Sequence, residues 1–326
     1  MKTKITEMFG IAAPIVLAPM GGIAGGALAA VSDAGGLGLI GCGYADPKTG
    51  YGSDEWIHQQ FDLAAGRQVG AGFITWSLTK HPEALDVALE RNADPIFLSF
   101  GDARSLIPKI RKAHRRVVLQ ISMLAEAPEA VALGADVIVA QGTEAGGHGK
   151  TRRTLFTLLP AVVDLADSVP VLAAGGVSDG RGLAAARALG AEGVLVGTRF
   201  FASPEALGSE ALKNRIVAAG GDDTVRTRVF DIARGLDWPA EYTGRVISNR
   251  FSSTWHGREE ELSKKATEIA QAYEAARRQG DVETLALFAG EGTDLVRDAQ
   301  SAADIVKRMV SEAEALLARL AKASSS

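Results

Sequence analysis

Short apolar runs alternate with amphipathic segments along the first two thirds of the chain. The runs Ile15–Ala18, Gly38–Ile40, Val69–Ile74, Pro95–Ser99, Val117–Ile121, Asp136–Ala140, Val171–Ala174 and Gly193–Val196 are rich in Val, Ile and Leu and carry no polar alternation. That is the pattern of strands covered on both faces in a parallel sheet. Helix-length amphipathic segments such as Glu83–Arg91, Arg104–Ala113 and Arg181–Leu189 lie between them. Glycines at Gly134 and Gly190 stand where such helices end before the next strand. Eight repeats of this unit favour an α/β fold of the (β/α)8 TIM barrel type over an open doubly wound sheet. The repeats stop near Gly220, after which the chain is charged and helical in period. The expected division is a barrel over 1–221, a small strand-free helical cap over 222–289, and a C-terminal segment over 290–326 whose helix packs back on the barrel. The closing "KASSS", Lys322–Ser326, reads as a frayed end.

Composition narrows the function. The 326 residues are 47% hydrophobic with a formal net charge of −4, so no basic face recommends nucleic acid as a partner. The single cysteine, Cys42, excludes an intrachain disulfide framework and fits a reducing, cytoplasmic location. Residues Met8 to Ser32 are uncharged, but they do not read as a leader or membrane span. Glu7 spoils the positive flank, Pro14 and Pro19 break any helix, and four glycines dilute the apolar run. The stretch reads instead as a buried strand, a glycine turn and a buried helix.

The segment "QGTEAGGHGKT", Gln141–Thr151, raises the chemical question. Its end resembles a triphosphate loop, but the first glycine of that motif is replaced by Glu144, whose carboxylate would repel phosphate. The following strand also lacks an aspartate for magnesium. A dinucleotide fingerprint fails too, because the glycines of "MGGIAGG" do not fall at G-x-G-x-x-G spacing.

The barrel reading explains the glycines better. Active sites of such barrels lie at the C-terminal strand ends, with phosphate commonly held after the last two strands. Those ends read "LAAGGVSDGRG" and "VLVGTRF", so Gly175, Gly176, Gly197 and Thr198 can offer backbone amides and a hydroxyl to one phosphate. Ala18-Pro19-Met20-Gly21 ends the first strand and permits close backbone approach to a flat ring. The sixth strand leads into the loop that carries His148.

The segments "APMGG", "AQGTEAGGHG", "AAGGVSDGRG" and "GAEGVLVGTRF" together resemble the nitronate monooxygenases, formerly called 2-nitropropane dioxygenases. The resemblance implies an FMN-containing barrel enzyme. It implies flavin contacts from Ala18, Pro19, Met20, Gly21, Gln120, Gln141, Gly146, Gly147, Gly175, Gly176, Gly197 and Thr198, with His148 as the catalytic histidine. The implied reaction oxidises an alkyl nitronate, or a nitroalkane after loss of its α-proton, with O2 to a carbonyl compound and nitrite. Histidine suits the proton step because its ordinary pKa lies near working pH. The related alternative is an NAD(P)H-dependent flavin reductase acting on a quinone or an enoyl thioester. The expected partners are therefore small molecules, with neither nucleic acid nor membrane involved and a homodimer left open. Many relatives continue "GGH-x-G", whereas His148 is followed by Gly149 and Lys150, which reshapes the substrate side of that loop.

The remaining candidates are weaker. His58, His81, His114 and His256 sit among polar neighbours and read as surface residues. No His, Cys, Asp or Glu spacing suggests a metal site. Trp76 follows the third strand and reads equally as mouth lining or packing. His148, flanked by glycines on a turn, has little in the sequence to pack against. Lys150 and Arg199 are candidate anion partners, with solvated surface charge as the plainer reading.

Overall fold

A computed structural model describes residues 1–46 and 51–323. Eight parallel strands form the central sheet: β1 (Ile15–Leu17), β2 (Gly38–Gly43), β3 (Val69–Ile74), β4 (Ile96–Ser99), β5 (Val117–Ile121), β6 (Val137–Gln141), β8 (Val171–Ala174) and β9 (Gly193–Val196). Their order runs β1-β9-β8-β6-β5-β4-β3-β2. A single bridge between Val16 and Leu37 joins the two ends, with Leu17 N donating to Leu37 O and Leu37 N to Ile15 O, both at 2.9 Å. The sheet is thus a TIM-type barrel closed at its narrowest seam.

Strand alternation sorts the side chains into two layers. Ile15, Leu17, Ile96, Leu98, Val117, Leu119, Ile138, Ala140, Val194 and Val196 face outward into the layer beneath the helices. Val16, Phe97, Val118, Val137, Val139, Leu172, Ala174 and Leu195 fill the interior. A helix over Lys4–Phe9, not foreseen from the sequence, plugs the barrel's N-terminal end with Ile5 and Phe9. Its start is fixed by Thr3 and Thr6, each side chain accepting the other's backbone N–H.

Continuing the interior register one step toward the C-terminal ends reaches Ala18, Ser99, Gln120, Gln141, Gly176 and Gly197. The sequence reading placed five of these six at the site. On β3 the inward positions are Gly70 and Gly72. A methyl at Gly72 would overlap the ring of Pro19, and one at Gly41 would overlap the backbone of Met20. These two glycines let the 18–21 segment fold across the barrel mouth.

The segment after Gly220 is not strand-free. Strands β10 (Thr224–Thr227) and β11 (Tyr242–Ile247) join β7 (Gly147–Lys150) in an antiparallel sheet of order β10-β11-β7. Their Thr, Val and Tyr content is a strand signal that the surrounding charge and helical period obscured. Helices follow at Arg250–Trp255, Glu259–Lys264 and Ala266–Gln279. The helix Ala302–Ala323 lies against helix Gly180–Ala188, where Gly180 leaves room for Met309, Glu312 and Ala313. Of the expected frayed end, Lys322 and Ala323 continue this helix, and 324–326 lie outside the described residues.

Candidate active site

His148 sits on β7, a strand rather than a turn. Gly-His-Gly-Lys has little strand propensity of its own. It is extended because β11 pairs with it, Gly244 opposite His148 and Arg245 opposite Gly147. Tertiary pairing here overrides local preference. The glycines let β7 thread a narrow space. A methyl at Gly146 would overlap the backbone of Ala289 and Gly290, and one at Gly149 would press on Gln141. Gly147, at φ +73°, faces open space.

The histidine has much to pack against, contrary to the expectation from its glycine neighbours. It is 9% exposed. Its ring lies flat on Trp238, centroids 3.6 Å apart and planes 6° from parallel, with Phe288 at 5.2 Å and Phe100 at 6.4 Å. Nε2 is 3.0 Å from each carboxylate oxygen of Asp231, which belongs to the helix Val229–Ala233 and is 3% exposed. Burial pulls the imidazole pKa below its ordinary value, although Asp231 pulls the other way. The Trp238 indole N–H donates to Tyr44 Oη at 2.8 Å. Tyr44 and Trp76 also pack edge-on against Trp238, so Trp76 belongs to this aromatic wall.

Buried polar groups fix the backbone around the histidine. Gln141 Nε2 donates to the carbonyl of His148 at 2.9 Å, while its Oε1 accepts from Ser122 Oγ at 2.9 Å. Both ends of this side chain are therefore engaged within the protein. Arg226 donates to the carbonyls of Thr143, Ala145 and Thr243, and Arg245 to that of Thr143. Desolvation holds the Arg226 guanidinium down at about 10.

The other expected residues gather at the same mouth. Gly197 faces Ala18 and Met20, whose Sδ would lie 3.5 Å from a methyl there. Gly175 abuts Ala145, and a methyl at Gly176 would lie 3.6 Å from Glu144. Thr198 Oγ1 accepts from Gly290 N at 3.0 Å, and Gly290 packs on Gly146. Met20, His148, Gly176 and Thr198 are thereby joined through a short chain of contacts. None of the N–H groups of Gly176, Gly197 and Thr198 donates to another group among the described residues. Gln120 lies on the far side of the mouth beside a cavity of about 350 Å³, with Thr75, Ser99, Phe100, Ser122 and Tyr242.

Lys150 and Arg199 are paired within the protein rather than solvated at the surface. Lys150 Nζ is 2.7 Å from Glu126 Oε1 and lies over the ring of Tyr242. Arg199, 4% exposed, donates to the carbonyl and carboxylate of Asp298 and to Gln300. His58 and His81 are half-buried and His114 and His256 exposed. Among the described residues no group of three or more His, Cys, Asp or Glu is placed to hold a metal ion. No helix among them is long and apolar enough to cross a membrane.

Asp231, Trp238, Tyr44 and Phe288 were not foreseen. Asp231 is 83 residues from His148, and nothing in "VFDIARG" marks it off from an ordinary helical carboxylate.

A barrel whose strand ends present glycines, amides and a buried histidine paired to a carboxylate is a (β/α)8-barrel enzyme. The chain belongs to the nitronate monooxygenase family, whose model matches residues 74–312, and it is an oxidoreductase. It is 35% identical to the nitronate monooxygenase npaC of Metarhizium robertsii, the match covering 93% of this chain and 91% of that protein. FabK from Thermotoga maritima superimposes with a TM-score of 0.84 at 27% identity, over 99% of both chains. The nitroalkane oxidase of Streptomyces ansochromogenes gives 0.80 at 25% identity, over 97% of this chain and 99% of that one.

Proposed function

We propose that the protein binds FMN at the C-terminal mouth of the barrel and oxidises alkyl nitronates with O2 to a carbonyl compound and nitrite. The observation that carries this reading is the convergence of Ala18, Gln120, Gly176 and Gly197, all on the inward register, beside the buried His148.

The residues suit the cofactor. Gly176, at φ +69°, is exposed and would present a methyl only to Glu144. Its N–H, with those of Gly197 and Thr198, is free to meet a phosphate. The Gln120 side chain has no hydrogen-bond partner among the described residues and the residue is not sealed from solvent, so its amide can meet a polar ring edge. Met20 and Gly21 would supply the close backbone approach. When bound, FMN supplies the redox chemistry, leaving position and proton handling to the protein.

His148 handles the proton. With a neutral nitroalkane the imidazole removes the α-proton, which burial favours by keeping the ring neutral near pH 7. With a nitronate already formed, no proton need be taken, and a protonated imidazole can hydrogen-bond a nitro oxygen. Trp238, Phe100 and Phe288 pack around the ring and restrain it.

Oxygen uptake and nitrite release from propyl nitronate test the reading, and a flavin-loaded protein that gives neither overturns it. The rival, an NAD(P)H-dependent flavin reductase, is separated by anaerobic mixing with NADH. Rapid bleaching of the flavin supports the reductase, and persistence of its colour supports the oxidation of nitronates.

A further inference from the structure

The Asp231 carboxylate is 3% exposed, and His148 Nε2 is its one hydrogen-bond donor among the described residues. A buried anion with a single donor, even with the Arg234 charge nearby, is a costly way to pack a histidine; an apolar or neutral residue of similar size would do so with less penalty. The arrangement therefore points to chemistry.

The ring has one orientation available for that chemistry. Trp238 fixes its plane from one face. Phe288 restrains it from a second direction, and Gln141 holds the backbone carbonyl. Gly244, opposite on β11, leaves room for Phe288, and a methyl there would also lie 3.7 Å from Nε2. A carboxylate only accepts hydrogen bonds, so Nε2 carries the proton of the neutral ring. Nδ1 then holds the lone pair. It has no partner among the described residues, yet it is absent from the buried polar atoms that lack one, so solvent reaches it.

We propose that Asp231 is the positioning residue of His148, fixing the Nε2–H tautomer so that Nδ1 takes the α-proton of a neutral nitroalkane. This rests on the function proposed above. In the step, the C–H bond breaks and its electron pair stays on carbon, giving the nitronate. The proton passes to Nδ1, forming an imidazolium whose Nε2–H remains on the Asp231 carboxylate. Asp231 thus stabilises the charge that appears during the step, in the manner of a carboxylate behind a catalytic histidine. A preformed nitronate does not need this step, so Asp231 divides the two substrate classes.

The charged groups facing the ring are Asp231, which stabilises the imidazolium, and Arg234 and Arg226, which oppose it. Replacing Asp231 by asparagine leaves the two arginines unopposed. The acid limb of the nitroalkane profile should then move to lower pH while the maximum rate falls.

The first experiment is nitrogen NMR of the holoenzyme labelled with [15N]histidine, His148 being assigned by its loss in His148→Gln. The expected result is a neutral ring with Nδ1 bare and Nε2 protonated; an Nδ1–H tautomer overturns the proposal. This measurement needs neither turnover nor a folded Asp231 variant. The second compares Asp231→Asn with wild type on nitroethane and on ethyl nitronate. The ratio of the two kcat/KM values should fall by about tenfold or more toward nitronate, with the acid limb for nitroethane displaced downward. Equal losses on both substrates with an unmoved limb would reduce Asp231 to a structural role and overturn the proposal. If wild type acts on neither substrate, the proposed function fails, and the tautomer still decides the role of Asp231.

Discussion

Trp238 lies flat against His148, the two rings 3.6 Å apart and nearly parallel. A neutral imidazole gains dispersion and shielding from this contact, and an imidazolium gains attraction to the indole face. The indole is held in turn by Tyr44 through a hydrogen bond of 2.8 Å. The stack therefore links the orientation of the base to an aromatic wall built from several elements.

Trp238→Ala should destabilise the protein by about 3–5 kcal/mol, as expected for loss of a buried tryptophan, and lower kcat/KM by about 10²-fold through misplacement of the ring. Trp238→Phe keeps a ring against His148 and loses only the bond to Tyr44, so most of the activity should survive. Urea unfolding and steady-state nitrite release check the pair of variants.

The pH dependence follows from burial of the same ring. In the unfolded chain His148 titrates near its ordinary 6.5, and in the folded protein lower. As pH falls through 6.5 the unfolded state takes up a proton that the folded state refuses, so stability falls until the folded pKa is passed. Above 6.5 neither state binds the proton and this contribution is constant. Urea unfolding measured at several pH values should show this loss on the acid side, and His148→Gln should flatten it.

Part of this site was legible because a parallel barrel collects its chemistry at its C-terminal strand ends. The apolar runs of β1, β8 and β9 placed Ala18, Gly176 and Gly197 there, whereas Gln120 and Gln141 came only with the family resemblance. What was not legible depends on pairing across the chain. "GHGK" has no strand signal, and β7 exists only because β11 lies beside it. Lys150 read as a solvated charge or an anion partner, and neither reading showed its ion pair with Glu126, 24 residues earlier and 2.7 Å away. Asp231 and Trp238 come from the segment beyond Gly220, which was read as charged and helical, and their relation to His148 is set by tertiary structure alone.

Gly72 and Gly41 should tolerate no side chain. Gly72→Ala places a methyl in the ring of Pro19, and relief of that overlap must lift the 18–21 segment from the mouth. A loss of about 1–3 kcal/mol is expected, with reduced flavin content. Gly10→Ala is the control, since Gly10 has positive φ and nothing within 4 Å. It should cost stability through backbone strain and leave flavin content unchanged. Absorbance of the purified variants, together with their urea midpoints, separates the two cases.

The location of the phosphate is open to a similar pairing of variants. If it rests on the amides of Gly176, Gly197 and Thr198, then Gly176→Ala sets a methyl where the phosphate must approach and also strains a residue at φ +69°. The strain alone costs about 1–2 kcal/mol, so the protein should fold yet lose flavin on dialysis. Lys150→Met breaks the ion pair with Glu126, but Glu126 still accepts from the N–H groups of Ser122 and Met123, and no phosphate contact is removed. Its flavin content should match wild type. The reverse result, with flavin lost from the Lys150 variant and kept by the Gly176 variant, would move the phosphate from the last two barrel strands to the loop beside β7. The ratio of flavin absorbance to protein absorbance after dialysis reads both outcomes.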